Sequence, residues 1–142
     1  MIRAVLDTNT LVSAVINVAS SVAAEIYQNC KEKQFLLIIS PAILAEVDDV
    51  LHRDRVMKSH RRSIQELQEL IKELADISLL VPGNIIIEIV RDSDDNKIIA
   101  AALEGQADYI VSRDKDLLDL RQHRGIKIIS PENFMAILRS QR

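Results

Sequence analysis

Short apolar runs alternate with helical patterns along this chain. We predict strands for five of these runs: IRAVL (2–6), FLLII (35–39), IIIEIV (85–90), YIVS (109–112) and IKIIS (126–130). Most are apolar throughout, which is typical of strands covered on both faces. Helical periodicity fills the intervals. In SIQELQELIKELADI, for example, the apolar residues fall on one face: Ile64, Leu67, Leu70, Ile71 and Leu74.

The alternation of strand and helix predicts an α/β fold. We expect a three-layer α/β/α sandwich with a central parallel sheet of four to five strands. The length of 142 residues suits one domain, 1–142. Two helices are predicted to begin alike, in IISPAIL and IISPENF, with serine as N-cap and proline at the first helical position.

Acidic residues follow three of the predicted strands directly. In an open parallel sheet, ligands bind beyond the carboxyl ends of the strands. Because these ends meet at one edge of the sheet, the sequence predicts an acidic cluster there. Its candidate members are Asp7, Asp92, Asp94, Asp95, Asp114 and Asp116.

The helix after the second strand offers one more acid. On a helical wheel, Glu46 and Asp48 lie at opposite margins of the apolar arc, so the wheel does not choose between them. The matching helix after IISPENF has Ala136 at the position of Glu46, so this type of helix start does not itself require an acid. That comparison weakly favours a specific role for Glu46.

Ordinary explanations exist for single members of the cluster. Asp94 or Asp95 would cap the following helix, and Asp114 would cap a turn before Leu117. Ion pairs with Arg91, Arg113 or Lys115 would still leave excess negative charge, and carboxylates crowded together repel unless a cation joins them. Taken together, the acids favour a cation site.

The chemistry of these ligands indicates the ion. Carboxylate oxygens are hard donors suited to Mg²⁺ or Mn²⁺. The histidines lack zinc-site spacing, no glycine-rich phosphate loop or nucleophile elbow is present, and the lone Cys30 is interpreted as a core residue. Acids with a divalent metal point to phosphoryl hydrolysis by activated water.

Composition and charge limit the kinds of molecule that this chain is expected to bind. Aromatic residues make up 3% of the chain, which argues against stacking platforms for single strands. The net charge is −3, but residues 52 to 62 form a basic run. Such a run is commonly a solvated helix end, and it also supplies candidate phosphate contacts: Arg53, Arg55, Lys58, Arg61 and Arg62.

No apolar run approaches a membrane span, so we expect a cytoplasmic protein without membrane partners.

The motifs LDTNTLVSA, the Glu46 helix, RDSDDNKIIAAALEGQADYIVSRDKDLL and IKIISPENFM together resemble the PIN-domain family. Within it, the chain is similar to toxin components of bacterial and archaeal toxin–antitoxin systems. The resemblance implies a Mg²⁺- or Mn²⁺-dependent endoribonuclease that cleaves RNA with metal-activated water. It further implies an antitoxin partner and pairing into a homodimer.

The resemblance also assigns residues. It implies four catalytic, metal-holding acids: Asp7, Glu46, Asp95 and Asp114. Asp92 and Asp116 would be accessory acids, and Asn9 and Ser112 would position the carboxylates. Arg113 is bulkier than the small residue common there, and is a candidate phosphate contact.

Two other functions stay open at this stage. A phosphotransfer domain fits poorly. Haloacid-class phosphatases need an acid where Asn9 stands, and receiver domains carry a lysine after the fifth strand, where this chain has Ser130 and Pro131. A non-catalytic RNA- or protein-binding module of the same fold would keep the architecture without the chemistry. The complete set of acids argues against this second alternative.

Overall fold

A computed structural model describes residues 1–16, 21–85 and 93–141, with side chains of the last range described from Asp95 onward. Six strands form one sheet: β1 (Arg3–Leu6), β2 (Leu36–Ile39), β3 (Leu79–Leu80), β4 (Tyr109–Val111), β5 (Gln122–His123) and β6 (Ile126–Ile129). Eight helices are described: α1 (Thr8–Ile16), α2 (Val22–Lys31), α3 (Pro41–Leu51), α4 (Asp54–Met57), α5 (Ile64–Ile77), α6 (Ser93–Glu104), α7 (Lys115–Leu120) and α8 (Pro131–Ser140).

The strand order is β3-β2-β1-β4-β6-β5, and every pairing is parallel except that of β5 with β6. The predicted fold class is therefore confirmed, with five parallel strands and a two-residue antiparallel edge. Strands β1 and β4 lie at the centre of the sheet, so Asp7 and Ser112, which follow them, emerge side by side at one edge. Among the helices within the described ranges, none is long and apolar enough to cross a membrane.

Two of the observed strands, β3 and β5, were not predicted. Helix α5 ends at Ile77, the backbone becomes extended at the C-cap Ser78, and Leu79–Leu80 then pairs with β2 as the edge strand. The predicted strand 85–90 falls outside the described residues except for Ile85, which is not in a strand. The hairpin of β5 with β6 turns at Arg124 and Gly125, both with positive φ, as a tight two-residue connection requires.

Serine caps begin the helices as predicted. The Oγ atoms of Ser40 and Ser130 accept hydrogen bonds from the backbone N–H groups of Ile43 and Asn133, and a proline follows each serine. On α5, Leu67 and Leu74 are fully buried, whereas Ile64, at the first position of the helix, is exposed.

The core is built from aliphatic side chains with few aromatic ones. Phe134 of α8 is fully buried against Phe35, with ring centroids 5.1 Å apart in an edge-to-face arrangement. Cys30 is buried as predicted, and burial raises the pKa of its thiol to about 11. Helix α6 packs against β1, β2 and β4, which brings its first turn to the edge of the sheet where Asp7 lies.

Candidate metal-dependent active site

Asp7 lies where β1 passes into α1, and it is 8% exposed. Its backbone N–H donates to the carbonyl of Val111, so it continues the pairing of β1 with β4. Its Oδ1 accepts a hydrogen bond from the backbone N–H of Thr10 at 3.0 Å. Asp7 therefore caps α1 through its side chain, and the cost of burying the carboxylate is offset by hydrogen bonds.

Ser112 connects the two central strand ends. Its fully buried hydroxyl donates to Oδ2 of Asp7 at 2.5 Å and accepts from the backbone N–H of Asp114 at 2.9 Å. Asp114 in turn caps α7, because its Oδ1 accepts from the N–H of Asp116 at 2.7 Å. The predicted capping role of Asp114 is confirmed, and the cap fixes its carboxylate beside Asp7.

Glu46 and Asp48, which the helical wheel could not distinguish, lie in different places. Glu46 lines a cavity of about 200 Å³ together with Asp7, Asn9, Asp95 and Asp114. Asp48 lines a separate cavity with His52 and with Gln68 of α5. The structure thus places Glu46, and not Asp48, among the acids at the edge of the sheet.

A lysine of α6 pairs with Glu46. The Nζ atom of Lys97, on α6, donates to Oε2 of Glu46 on α3. The two side chains are only 24% and 20% exposed. Sequence reasoning overlooked Lys97. The available signal was its position two residues after Asp95, beside the apolar face that begins at Ile98.

Three carboxylates come close enough to share one ion. Within the described part of the chain, oxygen atoms of Asp95, Asp114 and Asp116 all lie within 4.8 Å of one another. Asp95 is 8% exposed and lies in the first turn of α6, where the helix dipole favours a negative charge. Asp116, which the resemblance assigned an accessory role, is thus a full member of the closest acid group.

A second cavity of about 390 Å³ adjoins the first. Both cavities are lined by Asp7, Asn9 and Asp114, so the two volumes meet at these residues. The larger cavity continues past Ser13 and Ser21 to Arg113. Asp7 and Asp114 therefore stand in the middle of a longer depression and not at its end.

The predicted basic contacts divide into separate groups. Arg53 lines the acidic cavity and donates to Oδ2 of Asp49 at 3.0 Å. Arg113 lines the larger cavity and forms two hydrogen bonds with Glu132, which hold the pKa of that carboxyl below its usual range. Arg62 lies elsewhere, beside Tyr27 and Lys31. Arg55, Lys58 and Arg61 are exposed around or after α4.

Two of the predicted acids escape a full description. Asp92 lies outside the described residues, and the side chain of Asp94 is not described. Asn9 is exposed at the junction of both cavities, so its amide faces the open space between the acids.

The PIN-domain family model matches residues 3–116, which is most of the chain. The chain therefore belongs to the PIN-domain family, as its motifs predicted. PIN domains are generally nucleases, and they generally use divalent metals.

Individual proteins similar to this chain share less than a third of its residues. The uncharacterized protein MJ1680 of Methanocaldococcus jannaschii is 28% identical, covering 94% of this chain and 90% of that protein. Among solved structures, PAE2754 from Pyrobaculum aerophilum has a TM-score of 0.62 at 14% identity, covering 99% of this chain and 91% of the other. The fold also resembles VapBC2 from Rickettsia felis bound to a DNA fragment from its promoter, with a TM-score of 0.59 at 14% identity over 91% of this chain and 98% of that one.

Proposed function

We propose that this chain is a metal-dependent endoribonuclease and the toxin of a toxin–antitoxin pair. One observation carries the proposal. Four acids from four separate segments line a single cavity at the carboxyl edge of the sheet: Asp7, Glu46, Asp95 and Asp114. Membership of the PIN-domain family supports nuclease activity, and a cavity lined by acids suits this activity.

The donors fit a Mg²⁺ or Mn²⁺ ion. Asp95, Asp114 and Asp116 offer carboxylate oxygens, which hard divalent ions prefer over nitrogen or sulfur. Thr8 lines the same cavity, and its buried hydroxyl oxygen finds no hydrogen-bond partner within the described residues. Asp7 would join the set through lone pairs not used by Thr10 and Ser112. When bound, the ion supplies an activated water for attack on phosphorus and offsets charge on the leaving 3′ oxygen.

The residues around the acids have distinct tasks in this proposal. Ser112 orients Asp7 and, through the backbone N–H of Asp114, the start of α7. Asn9 presents an uncharged amide to substrate at the junction of the cavities, and Asp92 remains an accessory acid by resemblance. A phosphotransfer role is disfavoured, because haloacid-class phosphatases need an acid at the position of Asn9.

RNA would follow the two cavities across the acids. Arg53 and Arg113 line opposite cavities, and each is held by an acidic neighbour, so they are placed to contact phosphates on either side of the scissile bond. A strand that continues in both directions past the acids corresponds to internal cleavage. The exposed cations further along the run would add weaker, screened attraction: Arg55, Lys58, Arg61 and Arg62.

The proposed partners come from the toxin–antitoxin comparison. The Rickettsia felis structure is a VapBC2 complex on promoter DNA. By analogy, we propose an antitoxin protein that covers the acidic cavity, a homodimer of this chain, and a cytoplasmic site of action.

The decisive experiment compares Asp7→Asn with the parent on single-stranded RNA in Mn²⁺. Asparagine keeps an oxygen for the helix cap but removes the charge, so we expect cleavage to fall by about a hundredfold or more while the melting temperature changes little. Asp76→Asn, on the exposed face of α5, is the matched control and should cleave as the parent does. Equal cleavage by Asp7→Asn and the parent would refute the assignment. A parent that binds Mn²⁺ by calorimetry but cleaves no RNA would favour the non-catalytic module.

A further inference from the structure

The larger cavity, of about 390 Å³, is lined mainly by uncharged side chains. Among the described residues that line it, only Asp7, Asp114 and Arg113 carry a charge. The other lining residues are small and uncharged, and they include Asn9, Ser13, Ser21, Val22, Ala23 and Pro131. Small-molecule sites commonly combine apolar surface with a few polar groups that fix orientation, whereas phosphates are bound by cations. This wall therefore suits the neutral part of a nucleotide, its base, better than a row of phosphates.

Helix α1 presents two small polar side chains to this cavity. Six of its nine residues are buried and Ile16 is half-buried, so Asn9 and Ser13 are its exposed residues. These two residues are four positions apart, which places them one turn apart on the same face of the helix. Both line the cavity. An amide and a hydroxyl can each donate and accept hydrogen bonds, so this face of α1 offers both functions to the edge of a base.

Helix α2 contributes a third hydroxyl and an apolar surface. Ser21 caps α2, because its Oγ accepts a hydrogen bond from the backbone N–H of Ala24 at 3.0 Å. A hydroxyl that accepts such a bond still has its own O–H to donate. Val22 and Ala23, which follow the cap, line the same cavity together with Pro131 of α8. Their apolar surfaces would cover the face of a base while the hydroxyls meet its edge.

The kinds of side chain in this wall distinguish two ways of holding a base. Aromatic platforms stack on any base and therefore tolerate every sequence. Among the described residues that line this cavity, none is aromatic. Hydrogen bonds to the edge of an unpaired base depend instead on the donors and acceptors that the particular base presents. A base bound in this cavity would therefore be selected by its identity.

We propose that this cavity holds one unpaired nucleotide next to the scissile phosphate, and that Asn9, Ser13 and Ser21 select its base. This inference rests on the proposed function. The volume of about 390 Å³ lies near the lower limit for small-molecule pockets, about 300–1,000 Å³, so it suits a single nucleotide. Asp7 and Asp114 line both cavities, which places this nucleotide directly beside the acids that would hold the ion. In this arrangement the chain cleaves RNA at a fixed position relative to one preferred base.

Cleavage of a randomised library of single-stranded RNA in Mn²⁺, with the cut ends sequenced, tests this selection. For the parent, we expect one position beside the cut to favour one base by about tenfold, as paired hydrogen bonds to a base edge do. Ser13→Ala removes one hydroxyl and should lower this preference by about fivefold, the effect of one lost hydrogen bond. Ser13→Leu narrows the cavity, so the preference should disappear and the KM for RNA should rise by about tenfold. Mn²⁺ affinity in calorimetry should stay unchanged in both variants.

The control and the outcomes separate this inference from the proposed function. Gln65→Leu, exposed on α5 outside both cavities, should keep the base preference and the KM of the parent. Equal use of all four bases by the parent would overturn the inference and leave the nuclease proposal intact. So would an unchanged preference and KM in a Ser13→Leu protein whose melting curve shows it folded.

Ser13→Ala decides the question if the leucine variant fails to fold, because alanine adds no atoms and favours a helix. A reduced preference in that variant would support selection by Ser13, and a fully retained preference would overturn it. A parent that binds Mn²⁺ but cleaves no member of the library would overturn both proposals.

Discussion

The hydroxyl of Ser112 lies 2.5 Å from Oδ2 of Asp7 and joins the ends of the two central strands. The hydroxyl oxygen of Ser112 also accepts a hydrogen bond from the backbone N–H of Asp114. One buried side chain therefore sets the separation between two of the proposed metal-holding acids.

Ser112→Ala should weaken the site without removing an acid. Loss of the hydroxyl frees Asp7 to rotate and leaves the Asp114 N–H without its acceptor. We expect Mn²⁺ affinity and RNA cleavage each to fall by about tenfold, the lower end of the effect of residues that orient metal ligands. Ser112→Thr keeps the hydroxyl and should retain most of the affinity in calorimetry. If alanine and threonine behave alike, the hydrogen bond does not orient Asp7.

Arg53→Gln and Arg113→Gln should impair RNA binding while leaving metal binding unchanged. Each loses one proposed phosphate contact, so the dependence of RNA affinity on salt should become shallower by about 0.7 in log–log slope for each variant. Filter binding at several salt concentrations measures this slope. Arg139→Gln is the control, because that guanidinium pairs with Glu25 away from both cavities. Unchanged slopes in both variants would place the RNA elsewhere.

Glu104 should make the chain sensitive to acid. The backbone N–H groups of Ile85, Gly83 and Asn84 hold the pKa of its carboxyl below the ordinary value of 4.5. Because the folded-state pKa is lowered, this contribution to stability is present above pH 4.5 and is lost as the pH falls through the folded-state pKa.

Thermal melting of Glu104→Gln tests this dependence. The variant should melt below the parent at pH 7, and the difference should shrink as the pH is lowered beneath 4.5. Glu69→Gln, exposed on α5, should follow the parent at every pH. A difference that stays constant with pH would mean that the carboxylate charge is not what stabilises the turn at 83–85.

Gly105→Ala should destabilise the fold. A Cβ atom at this position would lie 2.6 Å from Cδ1 of the buried Ile38 on β2. Overpacking of this kind costs about 1–3 kcal/mol. Three carbon atoms of the buried Ile38 side chain lie within 2.9 Å of the added Cβ, so the whole side chain would have to shift. Urea unfolding should show a lower midpoint with an unchanged slope. The surface substitution Glu132→Ala should cost much less, and an equal cost would point to a cause other than steric overlap.

Strand ends and helix starts in this chain were predictable because they depend on local patterns. The apolar runs placed β1, β2, β4 and β6, and the Ser-Pro pairs placed α3 and α8. The edge strand at Leu79–Leu80 was not predictable, because two residues carry no period and their pairing depends on where α5 ends.

The site was predictable in outline but not in its internal contacts. Parallel topology brings strand ends together, so the meeting of Asp7 with Asp114 followed from the order of the elements. The choice of Glu46 over Asp48 depends on how α3 packs against α1, α5 and α6, which a helical wheel does not contain. The pairing of Lys97 with Glu46 joins residues 51 positions apart, and no local pattern announces it.

The helix caps at Asp7 and Asp114 have a consequence for how the two acids are oriented. Both carboxylates are held by backbone N–H groups that belong to the fold itself. The direction of each carboxylate is therefore set by the strand and helix that carry it. A change that unwinds the first turn of α1 or α7 would turn an acid away from the cavity although no acid has been replaced.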